Sequence, residues 1–256
     1  ILTNLMKPSS LMTETQILDR LQQDEYYYGE FGKQFLSASN IRSLISKPTS
    51  YNQIEKTLPL LEGRYFHLLM LEPEKENTIP VIECNSRNTK VFKEYKEEHQ
   101  LDSYDVLLQG ERDHVRRMAD AMQSNLEIYE RVYGEKEYEV PAITEIGGVM
   151  FKGKCDVLGR EEVIDLKTSS NVHKFRWSCQ EYCYDSQAFI YQTLFGKPMV
   201  FIVIDKNTFE LKISDCSSDF IERGREKVEK AIKVYKKFYS DDATSNISNY
   251  IYKETL

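Results

Sequence analysis

The chain has 256 residues, 41% of them hydrophobic and 29% charged, with a formal net charge of −7 at pH 7. That length can bury a sizeable core as one α/β domain, and the acidic balance argues against a protein that coats nucleic acid nonspecifically, which needs a phosphate-neutralising basic surface. Five cysteines are an odd count in a chain large enough to fold without staples, and no apolar run approaches the roughly 20 residues of a membrane span; a soluble, cytoplasmic protein with no membrane partner is expected.

Residues 1–35 are polar, with the aromatic cluster Tyr26-Tyr27-Tyr28 and little periodicity, and read as a loose N-terminal arm with one short helix. Residues 36–256 read as a single domain. It opens at Leu36-Ser37-Ala38-Ser39, where Ser37 or Ser39 can cap a helix running through Ile41, Leu44 and Ile45 until Pro48 stops it. A second helix follows Gly63, with Phe66, Leu69 and Met70 as its apolar face and Pro73 as its end. Residues 81–84 suit a short strand, and the charged stretch 87–100 reads as solvent-facing. Across 111–131, Val115, Met118, Ala119, Met122, Leu126 and Tyr129 recur at the spacing of one helical stripe, which predicts the longest well-marked helix of the chain.

Three short segments rich in β-branched and aromatic residues come next, at 136–143, 148–158 and 162–167, and predict a strand meander. A helix is expected over 179–194, ended by Gly196-Lys197-Pro198. The apolar run 199–204 reads as a buried strand, Asp205-Lys206-Asn207-Thr208 as a turn, and 209–213 as a further strand. A final helix over 219–238 turns Val228, Ala231, Ile232 and Tyr235 inward. This order implies an α/β fold, a mixed central β-sheet flanked by helices on both faces.

The chemistry concentrates in Val163-Ile164-Asp165-Leu166-Lys167-Thr168, preceded nine residues before its aspartate by Asp156 in Gly153-Lys154-Cys155-Asp156-Val157. Alternate strand residues share a face, so Asp165 and Lys167 project together while Leu166 packs the other way. A turn at Gly159-Arg160-Glu161 lets the two strands pair and brings Asp156 toward Asp165. Carboxylate oxygens are the ligands that Mg²⁺ prefers, and Lys167 could orient or deprotonate a water and offset charge on a phosphorane-like transition state. An acid two residues before a lysine also occurs at Glu94-Tyr95-Lys96 and Glu210-Leu211-Lys212. The first sits in a charged helical stretch without a partner acid; beside the second, Asp205 has a common structural task in opening a turn. The bland alternative for Asp156 and Asp165 is a solvated hairpin with a surface ion pair. Ile164 and Leu166 flank Asp165 with apolar side chains, which favours a half-buried charge with a functional reason to be there.

Together with Leu36-Ser37-Ala38-Ser39-Asn40-Ile41, the stretch from Gly63 to Pro73 (GRYFHLLMLEP), residues 148–156 and Gln187-Ala188-Phe189-Ile190-Tyr191, these parts stand in the order of a known family. Over residues 36–196 the chain resembles the PD-(D/E)XK nuclease superfamily, and within it the RecE-type exonucleases of phages and prophages, which are similar to the lambda-type exonuclease. The resemblance implies a restriction-endonuclease-like core and an exodeoxyribonuclease that uses Mg²⁺, with Mn²⁺ able to substitute. It further implies 5′-to-3′ resection of linear double-stranded DNA for recombination, a single-strand annealing protein as partner, and a homo-oligomeric ring.

Residue by residue, the likeness makes Asp156, Asp165, the main-chain carbonyl of Leu166 and His67 metal ligands and Lys167 the catalytic lysine. His67 alone, amid Phe66, Leu68 and Leu69, would ordinarily be a core residue. Glu139 stands where a strand-borne acid is often found, with Glu137 and Glu145 near it. Gln187 and Tyr191, four apart on one helix face, are implied beside the active site, where Gln187 orients the lysine or contacts DNA. Ser39 matches a serine that helps bind the terminal phosphate. The arginine expected upstream is missing, since Phe31-Gly32-Lys33-Gln34 stands there; Arg42, Arg64 or Arg176 could take its place, and Arg176 is carried as the DNA contact. A Cas4-like or repair nuclease would show iron–sulfur cysteines after the core, where only Cys216 occurs. A catalytically silent DNA-binding module of the same fold is disfavoured by intact Asp156, Asp165 and Lys167.

Overall fold

In the computed structural model, which describes residues 12–53 and 55–253, the chain is already helical well before the expected domain start. Thr13 and Gln16 form a reciprocal capping box at the head of α1 (Glu14–Leu21), and α2 (Asp24–Tyr28) follows. Ile17, Leu21, Tyr27, Phe31 and Phe35 bury one another here, with Ile143 of the sheet against them. A loose arm is therefore the wrong picture for residues 13–35; residues 1–11 lie outside the described ones. The apolar side chains in this stretch are too sparse for a periodic signal, and they hold because they close on a surface far away in sequence.

Ser37, rather than Ser39, takes the N-cap of α3 (Ala38–Ser46), where its amide donates to the Asn40 side chain at 2.8 Å. Helix α4 (Leu58–Leu71) begins at Thr57 with a proline in its first turn, so Gly63 lies inside it and does not precede it. Strands β1 (Val81–Ile82) and β2 (Leu107–Leu108) pair in parallel. Between them, the stretch expected to face solvent holds α5 (Lys90–Glu98), which buries Phe92, while Arg87 forks onto both oxygens of Glu111. The single helix predicted over 111–131 is two, α6 (Gln109–Gln123) and α7 (Leu126–Val132), because the Asn125 side chain accepts the Ile128 amide at 3.1 Å and starts a new helix. Past that break the inner face is Ile128 and Val132, and Leu126 and Tyr129 are exposed.

The meander follows as β3 (Glu137–Ile146), β4 (Val149–Leu158) and β5 (Val163–Ser169). The next helix is again split, into α8 (Phe175–Glu181) and α9 (Tyr184–Phe195), with Cys183 in left-handed backbone between them. Strands β6 (Met199–Asp205) and β7 (Leu211–Asp215) and helix α10 (Ser218–Phe238) complete the fold. The sheet runs β3-β4-β5-β6-β7, with β5 and β6 parallel and the other neighbours antiparallel. Strand β6 is buried along its length and alternates between two cores: Val200, Ile202 and Ile204 pack toward α4, α6 and α7, while Phe201 and Val203 pack toward α3, α9 and α10. Helices thus cover both faces, as the element order implies. Among the described residues no helix is long and apolar enough to cross a membrane.

Asp205 closes β6 by accepting the amides of Val172 at 2.9 Å, Asn207 at 2.8 Å and Thr208 at 3.1 Å. Burial pushes its carboxyl upward, but the backbone amides outweigh this and hold it below the ordinary carboxylate range. A carboxyl lowered on folding adds stability above its unfolded pKa of about 3.9 and loses it as pH falls through the folded value. Asp205→Asn should cost about 1–3 kcal/mol at neutral pH. In urea melts the gap to the parent should narrow once pH drops below about 4; a gap that widens there would contradict the assignment.

Candidate active site

Strand β4 pairs with β5 only through Val157–Ile164 and Leu158–Val163. Before those pairs the two strands part, and a side chain bridges the opening: Asp156 Oδ2 accepts the Leu166 amide at 2.6 Å. On the other side of β4, Tyr138 pairs with Val157 and Val140 with Cys155, whereas Glu139 and Asp156, which face each other between those pairs, leave the ladder. Cys155 packs into the α9 core and Val157 into the α4 core, although residues two apart in a strand normally share a face. Tyr138 and Val140 divide in the same way. The change of face coincides with left-handed backbone at Glu139, φ +51°. Such a conformation costs a non-glycine residue about 1–3 kcal/mol.

What the distortion achieves is a cluster. Ligand atoms of Glu139, Asp156 and His67 all lie within 4.8 Å of one another. His67 reaches the sheet from α4, and its Nε2 donates to the Leu166 carbonyl at 3.0 Å, leaving Nδ1 at 3.5 Å from Asp156 Oδ1. Burial pushes the His67 imidazole down, but the Asp156 carboxylate overrides it and lifts it to about 9. Burial likewise pushes Asp156 up, and His67 overrides it and holds the carboxyl low. For Glu139, burial and then the negative charge of Asp156 act in the same direction and raise the carboxyl to about 8. Of the three acids on this strand, Glu137 and Glu145 are exposed and Glu139 alone joins the cluster.

Asp165 and Lys167 do share a face, and it is the other face of β5. The Gln187 side-chain amide donates to Asp165 Oδ1, and the Lys167 ammonium lies 2.5 Å from Asp165 Oδ2. The carboxylate side chain is 3% exposed and the lysine 19%. Burial raises Asp165 to about 6 despite Lys167. Burial works against the lysine's charge, but Asp165 dominates and holds the ammonium well above its ordinary pKa. Lys167 Nζ also sits 4.9 Å from the Tyr184 ring centroid. Asp165 is outside the His67–Glu139–Asp156 cluster. Leu166 joins the two halves, its amide bound to Asp156 and its carbonyl to His67.

The remaining expected residues are not drawn to this centre by any contact among the described residues. Ser39 is exposed in the first turn of α3, its hydroxyl 2.9 Å from that of Ser37. Arg176 is exposed on α8 with its guanidinium 5.1 Å from the Trp177 ring, and Arg42 lies over Tyr182 and 3.6 Å from Glu181. Tyr191, expected at the DNA, is turned inward instead: it is 8% exposed and its hydroxyl donates to the Lys154 carbonyl at 2.9 Å, because α9 packs flat on β4 there. Among the described residues, the competing acid–lysine pair at Glu210 and Lys212 gathers no second acid, since Asp205 is spent on backbone amides and Glu210 faces His173 at 3.4 Å. One contact has no counterpart in the sequence reading: the Gln22 side chain of the N-terminal segment donates to the Glu139 carbonyl at 3.1 Å.

A cation is implied by the fold type, and the residues suit one. Two carboxylates and an imidazole converge, with the Leu166 carbonyl beside them, and a divalent ion would offset both the burial and the Asp156 repulsion that raise Glu139. The oxygen-rich set fits Mg²⁺ or Mn²⁺. All five cysteines are free and none belongs to this cluster.

Comparison with known proteins agrees with this architecture. A protein of Eubacterium rectale named a "putative exonuclease" superposes with a TM-score of 0.61 at 16% identity, over 91% of this chain and 95% of its own. An alkaline exonuclease of Laribacter hongkongensis, 14% identical, gives a TM-score of 0.37 over 86% and 91% of the two chains, too distant to bear on the fold. No curated protein matches the sequence. Residues 33–251 match the model of a family described as a PDDEXK-like domain of unknown function (DUF3799), and the chain belongs to that family.

Proposed function

We propose that the chain is a divalent-metal-dependent deoxyribonuclease that resects linear duplex DNA from its ends in the 5′-to-3′ sense. The observation that carries the reading is the pairing of buried Asp165 with Lys167, coupled through Leu166 to the His67–Glu139–Asp156 cluster. His67, Glu139, Asp156 and the Leu166 carbonyl are the groups that would hold the ion, with Asp165 as the further carboxylate. A bound Mg²⁺ would supply Lewis acidity toward the phosphate and a water of lowered pKa.

The protein's own part is positioning and charge. Asp165 beside it favours the charged form of Lys167, and the role proposed for that ammonium is charge stabilisation. Lys167 offsets charge on the non-bridging oxygens as the water oxygen bonds to phosphorus, its proton passing to solvent, and the bridging P–O bond breaks, the leaving oxygen taking up a proton from solvent. Gln187 fixes Asp165, and so acts on the lysine through the carboxylate. Arg176 and Ser39, both exposed, remain the groups proposed for the DNA backbone. The resemblance to RecE-type enzymes supports a recombination role beside a single-strand annealing protein and a ring-shaped homo-oligomer.

Linear duplex labelled at either end, with and without a 5′-phosphate, tests this directly. In Mg²⁺ or Mn²⁺ the 5′ label should be released first, closed circles should resist, and Ca²⁺ should allow binding without turnover. Cleavage in EDTA would remove the metal from the mechanism. Early release of the 3′ label would reverse the polarity, rapid nicking of circles would make the protein an endonuclease, and binding without any cleavage would favour the silent DNA-binding module.

A further inference from the structure

Glu139 is the only non-glycine residue within a strand that has a positive φ, among the described residues. Turning it out of the ladder takes its carbonyl away from β4, and the carbonyl finds its donor on another element. That donor is Gln22, at the C-terminal end of α1, with Nε2 at 3.1 Å. Gln22 is itself held from the sheet. Lys154, two residues before Asp156 on β4, donates to the Gln22 carbonyl at 3.3 Å and to Asp24 at 2.7 Å, and its side chain is 4% exposed. Lys152, two residues earlier, donates to the Tyr27 carbonyl and lies 4.0 Å from the Tyr27 ring centroid. The N-terminal helices are thus bolted to β4 by two buried lysines, and through Gln22 they hold the residue of β3 whose backbone is least able to hold itself.

We propose that Gln22 is a positioning residue that keeps Glu139 in its left-handed conformation and so keeps the carboxylate with His67 and Asp156. The inference rests on the reading of those three as the metal site. It makes α1 and α2 part of the active centre, although they precede the family match, which begins at residue 33. Gln22 touches no reacting group; its effect runs through the Glu139 backbone.

The test uses the full chain and Mn²⁺ alone, with binding followed by calorimetry and folding by thermal melting. Gln22→Met keeps the side-chain length and removes the donor; it should weaken Mn²⁺ binding about 10-fold, at the low end for residues that orient metal ligands, and leave the melt close to the parent's. Gln22→Lys, which restores a donor, should recover most of the affinity. In a Glu139→Gln background, already weakened, Gln22→Met should do nothing more. Parent-like Mn²⁺ binding by Gln22→Met, or losses that multiply in the double variant, would overturn the positioning role while leaving the site intact. Should Asp156→Asn bind Mn²⁺ as the parent does, the metal site itself fails, and the role of Gln22 with it.

Discussion

Lys167→Ala should lower the single-turnover cleavage rate of end-labelled linear duplex by about 10³-fold, with DNA binding in Ca²⁺ little changed. The size follows from where the ammonium sits. Its charge is kept by Asp165 at 2.5 Å in a site where the carboxylate is 3% exposed, and a charge in such surroundings acts on a developing phosphate charge with little screening. The fold should survive, because Asp165 retains the Gln187 hydrogen bond and, already raised to about 6, can take a proton in place of its lost partner. Lys167→Arg should rescue poorly, since a planar fork does not reproduce a point charge. Cleavage by the alanine variant within tenfold of the parent would take Lys167 out of the mechanism.

Gly224→Ala is expected to destabilise the fold strongly. A Cβ at Gly224 would lie 2.0 Å from the Asp185 carbonyl oxygen and 3.0 Å from the Ser186 amide nitrogen. These are backbone atoms of α9, so no rotamer change relieves the clash and α10 must move off its neighbour. That movement would also pull Lys227 from Asp185, a pair at 2.7 Å in which the carboxylate is 1% exposed and, among the described residues, no other cation lies closer. Overpacking and a disrupted buried pair together should cost about 3 kcal/mol or more, a fall in melting temperature on the order of 10 °C for a chain of this size. Helix propensity alone would act the other way, by about 1 kcal/mol in favour of alanine. Gly63, inside α4 with nothing within 4 Å of its would-be Cβ, supplies the control, and Gly63→Ala should stabilise. A stable Gly224→Ala variant would mean that α9 and α10 are not in backbone contact.

The parts of the fold that were readable are those in which local pattern and final environment coincide. The continuous apolar run of β6 is buried on both faces of a sheet, and Gly196 ends α9 in left-handed backbone where a glycine was expected to stop a helix. Helix breaks were less legible. Asn125 and Cys183 interrupt periodic stretches without a proline or glycine to announce it, so one helix was expected where two exist. Tyr191 shows the complementary failure: spacing placed it on one face with Gln187, but not whether that face looked at solvent or at Lys154.

The sequence by itself determined that this is an α/β protein and that Asp165 and Lys167 act as a pair, because a strand's two-residue repeat is a local property of the backbone. Only the tertiary structure decided that Glu139 joins His67 and Asp156, that Asp165 lies across Leu166 from them, and that Gln22 reaches the site at all. A left-handed residue in mid-strand is locally unfavourable. It persists because contacts more than a hundred positions away along the chain outweigh its cost, and no local pattern records such contacts.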